Sequence, residues 1–315
     1  SVFRGDTAAE CGNDGRSLVY VESSYVDFSN LVVSENSYGF FMKESSGSIT
    51  DSVIDVKCSG IDTNSHKVTG TINHTLVIND NTITTADGSG ITAYDGAIVV
   101  AERNTISGAA SGSGFGIRSS TVTANNNVIG PIGGWNGLWI YGTSDVVAEN
   151  NTIQDTAKEA VLIGEYHYLD QGWNVPTPTA SRLYLANNQI SNNTGICNSQ
   201  MYDGDFQCPA IHVFMSSATL YDNTVTNNGG DGMRIKASIV NAQRNTIEVS
   251  GFAANVSLFD DNYGNKYGSI AYFSENTYTN ATQVYNITES RVTVQSEYIP
   301  DAGGNEIYPV QMSWL

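Results

Sequence analysis

The sequence predicts an all-β solenoid, a single stack of roughly 10–12 short coils. Three observations predict it. An Asn recurs in one frame at a nearly constant interval, as in "VINDNTITT", "VVAERNTISG", "TANNNVIG" and "VAENNTIQD". The segments between these Asn residues alternate apolar and polar with the period of a half-buried strand. The interval is also too short for a pair of helices, and it suits three short strands joined by three turns.

The series runs Asn36, Asn81, Asn104, Asn127, Asn151, Asn188, Asn223, Asn245 and Asn276, with Ser52 as a degenerate member. Asn81, Asn104, Asn127 and Asn151 follow one another at 23, 23 and 24 residues, and Asn223 and Asn245 at 22. The steps into Asn188 and Asn223 are longer by a dozen or so residues, so two coils carry an inserted loop, at 164–180 and 194–210.

Each coil opens with a first strand ("GITAY", "GIRSS", "GLWIY", "AVLIG", "AIHVF", "GMRIK") and continues with a second ("AIVVAE", "STVTAN", "DVVAEN", "RLYLAN"). The Asn follows, and then a short third strand beginning "TI" or "VI". Stacked coils place strands about 4.8 Å apart in parallel sheets around an aliphatic interior, in a rod about 50 Å long. A sharp corner needs a residue tolerant of left-handed backbone, and Asn tolerates it better than most. Its amide can also bond the Asn one coil away, so the series reads as a structural ladder.

On these residues the chain resembles the right-handed parallel β-helix superfamily, the pectate-lyase-like fold with Asn ladders and short repeats, over roughly residues 17–300. The resemblance implies a fold and leaves function open, because lyases, hydrolases, epimerases, tailspikes and surface proteins share it. It implies one domain over 1–315: a cap and first coils over 1–60, regular coils over 61–280 and C-terminal strands over 281–315.

A net charge of −18 argues against a nucleic-acid partner and against adsorption to anionic membrane. No run of eighteen apolar residues exists, so membrane insertion by a helix is not expected. Four cysteines form two sequence-local pairs, Cys11 with Cys58 and Cys197 with Cys208, neither at metal-site spacing. Two disulfides are expected, one pinning the cap and one closing "CNSQMYDGDFQC". They point to an oxidising compartment, hence an extracellular or cell-surface protein that has lost its leader. Sequons at Asn73, Asn150, Asn192, Asn255, Asn280 and Asn286 permit N-glycosylation. No cofactor is called for. "FDDNYGN" at 259–265 offers oxygen ligands for calcium but lacks EF-hand spacing, and a polar turn is the preferred reading.

Chemistry on such a fold belongs on an outward sheet face or in the loops that wall it. Aligning the first strands puts Ile91, Ile117, Leu138, Val161, Ile211 and Met233 inward, and Thr92, Arg118, Trp139, Leu162, His212 and Arg234 outward. Tyr94, Ser120, Tyr141, Gly164, Phe214 and Lys236 form the next outward set. With only 14 Lys and Arg in the chain, Arg118, Arg234 and Lys236 beside Trp139, Tyr141 and His212 suggest a glycan face, above all for acidic sugars. The inserted loops supply Glu165, Tyr166, His167, Tyr168, Asp170, Trp173, Tyr202, Asp203 and Asp205, which suit either a glycan rim or a protein contact. "RIK" at Arg234–Lys236 matches a substrate-binding tripeptide of the polygalacturonases, but their paired acidic motifs and Gly-His-Gly are missing, as is the mannuronan-epimerase Asp-Pro-His-Glu. A glycosidase needs two carboxylates flanking the bond, and these strands show none. No catalytic residue is assigned. For an enzyme, His212, Asp203, Asp205 and Glu165 are the candidates.

The chain begins "SVFRG" and ends "YPVQMSWL", two short apolar strands with no capping helix. Exposed solenoid ends pair with neighbours, and a contact that does not close propagates as a filament. The preferred reading is therefore an extracellular structural β-solenoid, glycosylated and self-associating through its ends into a filament or surface layer. The second reading is a carbohydrate-active enzyme or glycan-binding module for an acidic polysaccharide.

Overall fold

A computed structural model describes residues 2–4, 11, 17–65, 74–164, 181–193, 195–197, 206–260, 266–281, 283–297 and 311–313. All regular elements among them are strands, and nearly all lie in three parallel sheets. The protein is a parallel β-helix. It divides into two compact units, residues 1–157 and 158–315.

In residues 1–157 the first sheet runs from Ser17–Glu22 to Leu138–Tyr141, the second from Tyr25–Ser29 to Asp145–Glu149, and the third from Val2–Arg4 to Thr152–Gln154. The inward rows are aliphatic. On the third sheet Val33, Ile54, Ile83, Ile106, Ile129 and Ile153 stand in register and are completely buried. On the first sheet Phe40, Ile61, Ile91, Phe115 and Leu138 do the same. In residues 158–315 the first sheet runs from Val161–Ile163 to Gln283–Ile287, the second from Arg182–Ala186 to Arg291–Gln295, and the third from Gln189–Ser191 to Thr277–Thr279.

The corner between second and third strands carries the amide ladder. Asn81 Nδ2 and its backbone N–H both donate to Asn104 Oδ1, at 3.0 and 3.1 Å. Asn104 repeats this toward Asn127, and Asn127 toward Asn151, at 2.9–3.0 Å. The second proton of Asn104 Nδ2 goes to the Ile78 carbonyl and that of Asn127 to Ala101. The same pattern links Asn188, Asn223, Asn245 and Asn276. Each interior rung is thus saturated, with two bonds accepted and two donated, as burial demands.

Two details differ from the sequence reading. The left-handed residue is the one before each rung: Asp80, Arg103, Asn126, Asn150, Asn187, Asp222, Arg244 and Glu275 all have φ between 52° and 59°. The rung Asn supplies its amide, and the preceding residue turns the chain. Asn36 is also not a rung, because strand register places Leu31 at that corner, where its N–H donates to Ser52 Oγ.

The other corners are polar as well. Serine hydroxyls link coils between first and second strands, as in Ser216, Ser238, Ser269 and Ser290. At the entry to the first strand Gly60 and Gly90 stack so closely that a Cβ on Gly60 would lie 2.6 Å from the Gly90 carbonyl oxygen. Both expected disulfides form. Gln311–Ser313 pairs antiparallel with Arg291–Gln295, so the chain itself occupies the second-sheet edge at this end, one of the edges that the filament reading assigned to a neighbour. A tethered strand outcompetes a separate molecule for that edge, since its effective concentration is far higher.

Past Asn276 the rung is a carboxyl. Asn276 Nδ2 donates to Glu297 Oε1 at 3.1 Å, and Glu297 is buried. Burial lifts its pKa to about 7, against hydrogen bonds from Asn276, Tyr278 and Tyr285. With the folded value raised, its contribution to stability is full below the ordinary carboxyl range and is lost as pH rises through about 7. Glu297→Gln should therefore melt higher than the parent at pH 8, by roughly 2–3 kcal/mol, and like it at pH 4.5; pH-dependent thermal denaturation reads this. Asn127→Ala strands two buried donors of Asn104 and should cost about 2–5 kcal/mol in denaturant unfolding.

Candidate functional site

Register on the first sheet of residues 1–157 creates two outward rows. Tyr20, Phe41, Asp62, Thr92, Gly116 and Trp139 form one. Glu22, Lys43, Asn64, Tyr94, Arg118 and Tyr141 form the other. Phe41 and Trp139 are four strand spacings apart, about 19 Å.

Asp62 sits one strand from Phe41 and three from Trp139, in a cleft of 270 Å³ whose lining includes Phe41, Asn64, Ser89, Thr92 and Tyr94. Thr92 donates its hydroxyl to Asp62 Oδ1. Withdrawal from water lifts the Asp62 carboxyl to about 6, against hydrogen bonds from Thr92 and Ser59 that favour the anion. Tyr94, mostly buried, is held well above the usual phenol range, first by desolvation and then by the charges of Tyr141 and Asp62, so it remains a hydrogen-bond donor. Gly116 keeps the space above its strand open: a Cβ there would reach 3.4 Å from Tyr94 Oη. Asn64 also lines the cleft; its Oδ1 is itself buried from solvent and has no hydrogen-bond partner.

Toward the C-terminal side of this face, Trp139 stacks on Tyr141 with ring centroids 4.4 Å apart, and Trp135 meets Trp139 edge-on at 4.8 Å. Arg118 lies over the Tyr94 ring at 4.8 Å. Its guanidinium also grips Asp95 through two bonds, of 3.1 and 2.7 Å. On the N-terminal side Tyr20 stacks on Phe41 at 5.6 Å.

The face therefore unites Arg118, Trp139 and Tyr141, as the sequence suggested, with one correction. Arg118 pairs with Tyr94 and not with Thr92, and Ile117 pairs with Ala93, so that coil is shifted by two residues from the sequence alignment. The alignment used Gly116, whereas the corner glycine is Gly114. Ser120 falls in the following corner, where it joins the serine series. Asp62 and Asn64 were missed because "GIDTN" reads as a broken strand. Setting Gly60, Gly90 and Gly114 in one frame would have found them.

In residues 158–315 the first-sheet rows are Leu162, His212, Arg234, Asn255 and Asn286, beside Phe214, Lys236 and Ser257. His212 is completely buried rather than displayed, with Nδ1 3.4 Å from Glu159 Oε1. It lies on the outward row, but row position fixes direction and not depth, and a buried imidazole cannot touch a polymer at the surface. Burial lowers its pKa, opposed by Glu159 and assisted by Arg234 and Lys236. Lys236 Nζ stands 5.5 Å over the Phe259 ring. Glu165, Asp203 and Asp205, with the rest of both inserted loops' acids and aromatics, lie outside the described residues.

Among the described residues, Glu159, Cys197 and Cys208 come within metal-ligand spacing, but both sulfurs are spent in the disulfide. The calcium segment "FDDNYGN" begins a two-stranded pair, Phe259–Asp260 with Lys266–Tyr267, and its residues 261–265 lie outside the description. Of the sequons, Asn150 and Asn280 are exposed in left-handed corners. Asn255 is buried, its amide given to Asp231, so its nitrogen is closed to a glycosyl carrier. Asn192 and Asn286 are half-buried, and Asn73 lies outside the described residues.

A family model described as "Right handed beta helix region" matches residues 68–238. No curated protein matches the chain in sequence. Among solved structures, the A-module of the mannuronan C-5 epimerase AlgE6 from Azotobacter vinelandii is similar over 95% of this chain and 84% of its own, at TM-score 0.53 and 15% identity. The catalytic domain of a GH87 α-1,3-glucanase in complex with tetrasaccharides is similar over 89% of this chain and 62% of its own, at TM-score 0.54 and 10% identity. ORF18 of Geobacillus virus E2 aligns over 94% of this chain at TM-score 0.49 and 11% identity, and the chain spans 54% of that protein's length.

The His212 environment makes a prediction. Because the folded pKa is lowered, the unfolded chain takes up a proton first on acidification, and stability is lost as pH falls through the ordinary histidine range. His212→Gln should flatten the acid limb of the melting-temperature profile between pH 7 and 5, measured by differential scanning fluorimetry.

Proposed function

Since the chain belongs to the right-handed β-helix family, we propose that it is a secreted carbohydrate-active protein that lays a polysaccharide along the first-sheet face of residues 1–157. One observation carries the reading: a protonatable carboxyl, Asp62, stands in a cleft between two aromatic stacks, one strand from Phe41 and three from Trp139. Aromatic faces suit the apolar faces of pyranose rings, and hydroxyl and amide groups between them suit sugar hydroxyls. The two disulfides support export to an oxidising compartment. Two structures sharing the fold are, by their names, a mannuronan epimerase and an α-1,3-glucanase, and the likeness is one of fold.

The residues divide the work in a simple way. Trp139, backed by the buried Tyr141, holds a ring of the polymer, with Tyr20 and Phe41 on the other side. Tyr94 donates a hydrogen bond. Asp62, with a pKa of about 6, is protonated in a large fraction of molecules in mildly acidic water. It can deliver that proton to a glycosidic oxygen as the C–O bond breaks and water takes the anomeric carbon, releasing its proton to solvent. Among the described residues the cleft holds no second carboxylate to activate that water.

The test is a panel of soluble polysaccharides assayed for binding by affinity electrophoresis and for release of reducing or unsaturated ends. Trp139→Ala should weaken binding about 5- to 10-fold, the worth of one aromatic stack. Asp62→Asn should keep binding and lower turnover by about 10²–10⁴-fold. In the parent, turnover should fall as pH rises through about 6, where Asp62 loses its proton. Unchanged binding in Trp139→Ala, with unchanged turnover in Asp62→Asn, would remove this face from the function.

A further inference from the structure

We propose that Asn150 is a modification site, carrying an N-linked glycan on the corner of the coil that faces away from the first sheet. The proposal is independent of the reading of the Asp62 face, since it concerns another corner and another chemistry. Asn150 opens the sequon Asn150-Asn151-Thr152, which supplies an acceptor amide and, two residues on, the hydroxyl that the transfer requires. It lies between Asp145–Glu149 of the second sheet and Thr152–Gln154 of the third, at the one corner that the first strand does not touch.

Geometry separates Asn150 from the other sequons. Its backbone is left-handed at φ 57°, its side chain is exposed, and among the described residues no hydrogen bond engages its amide. Asn280 is also exposed and left-handed, but its Nδ2 donates to Glu248 Oε1 at 2.9 Å. Asn255 is buried with its Nδ2 given to Asp231, and Asn286 is half-buried with its Nδ2 directed at Asn255 Oδ1. For Asn73 and Asn192, part of the sequon lies outside the described residues. A glycan on Asn150 leaves the ladder intact, because the rung beside it keeps its own bonds. Asn151 Oδ1 accepts from the Asn127 N–H and Nδ2, and Asn151 Nδ2 donates to the Ala124 carbonyl.

The fold does not require this sequon. Corner residue, rung Asn and first residue of the third strand repeat as a triplet along the ladder. Where that strand residue is Thr, the corner is otherwise charged, as in Asp80 before Thr82 and Arg103 before Thr105. Where the corner is otherwise Asn, the strand residue is neither Thr nor Ser, as in Asn126 before Val128 and Asn187 before Gln189. Left-handed backbone and strand packing are thus met without the pair, and of the ladder coils the one at Asn151 alone combines an Asn corner with Thr. The transfer forms a bond from Asn150 Nδ2 to the anomeric carbon of a lipid-linked oligosaccharide. That carbon's bond to the lipid phosphate breaks, the phosphate leaves with the electron pair, and an amide proton passes to a base of the transferase. In the folded chain Asn151 is buried and the Thr152 N–H donates to the Asn127 carbonyl, so the transferase meets the sequon during export, before this coil closes on its neighbour.

The experiment is peptide mapping by mass spectrometry of the full chain purified from the organism that makes it. Most copies of the peptide containing Asn150 should carry added sugar mass, and the peptide containing Asn255 should carry none. Thr152→Val, produced in the same organism, should lose the mass at Asn150, and Thr152→Ser should keep it. Asn150→Asp should also lose it, and should melt with the enzymatically deglycosylated parent, because Asp tolerates the left-handed corner as Asp80 does. An Asn150 peptide of unmodified mass would overturn the proposal whether or not other sequons are occupied, and would leave Asn150 a corner residue only. Sugar mass that survives Thr152→Val would overturn it as well, since the modification would not be directed by the sequon. Neither result would bear on polysaccharide binding at the Asp62 face.

Discussion

The side-chain amide of one Asn per coil is the constraint on which the rest of the structure depends. A coil of three short strands turns its backbone inward at every corner, and buried peptide groups there need partners. The rung Asn meets the need with one side chain. Its oxygen takes two protons from the preceding rung and its nitrogen gives two, one of them to a carbonyl of the preceding coil. The geometry closes only when successive coils are in register, so the ladder fixes which residue sits above which on all three sheets. A slip of one residue would expose the aliphatic rows and strand the amides together.

Register is what makes a site from residues far apart in sequence. Phe41, Asp62, Thr92 and Trp139 belong to separate coils of unequal length, yet each is one or two strand spacings from the next. Length differences are taken up between strands, and the rows are untouched. An outward row can then change residue by residue at little cost to the core. That is how a half-buried carboxyl and a pair of stacked aromatic rings share one face without disturbing the isoleucine stack on the third sheet.

The ladder, the three-strand coil and both disulfides were legible, because each repeats or pairs within the sequence at a spacing that physical geometry explains. The site was legible in part. Trp139 and Tyr141 announce themselves as large aromatic residues on a period-two strand. Asp62 does not, since a single acidic residue in a four-residue strand resembles a loop. Arg118 was misregistered because "GFGIR" offers two glycines, and only the contact of Gly90 with the Gly114 carbonyl decides between them. His212 shows a further limit. Alternation tells which way a side chain leaves the sheet, but what covers it comes from other parts of the chain.

The same frame accounts for where several of the chain's cations stand. In a stack of identical coils, equivalent positions lie about 4.8 Å apart, and acidic residues at one position would repel one another along the whole sheet. The described cations answer that problem. Arg103 binds Asp80, and Arg244 binds Asp222, each pair filling the same left-handed corner in successive coils. Lys43 meets Glu22 from directly opposite strand positions, and Arg118 reaches Asp95 across one coil. Exposed pairs of this kind contribute little to stability singly, yet each interrupts a column of like charge. Lys43, Arg103, Arg118 and Arg244 are accordingly spacers between carboxylates. Among the described residues of the Asp62 cleft, the other groups are uncharged, among them the aromatic ring of Phe41, the Tyr94 phenol and the hydroxyls of Ser89 and Thr92.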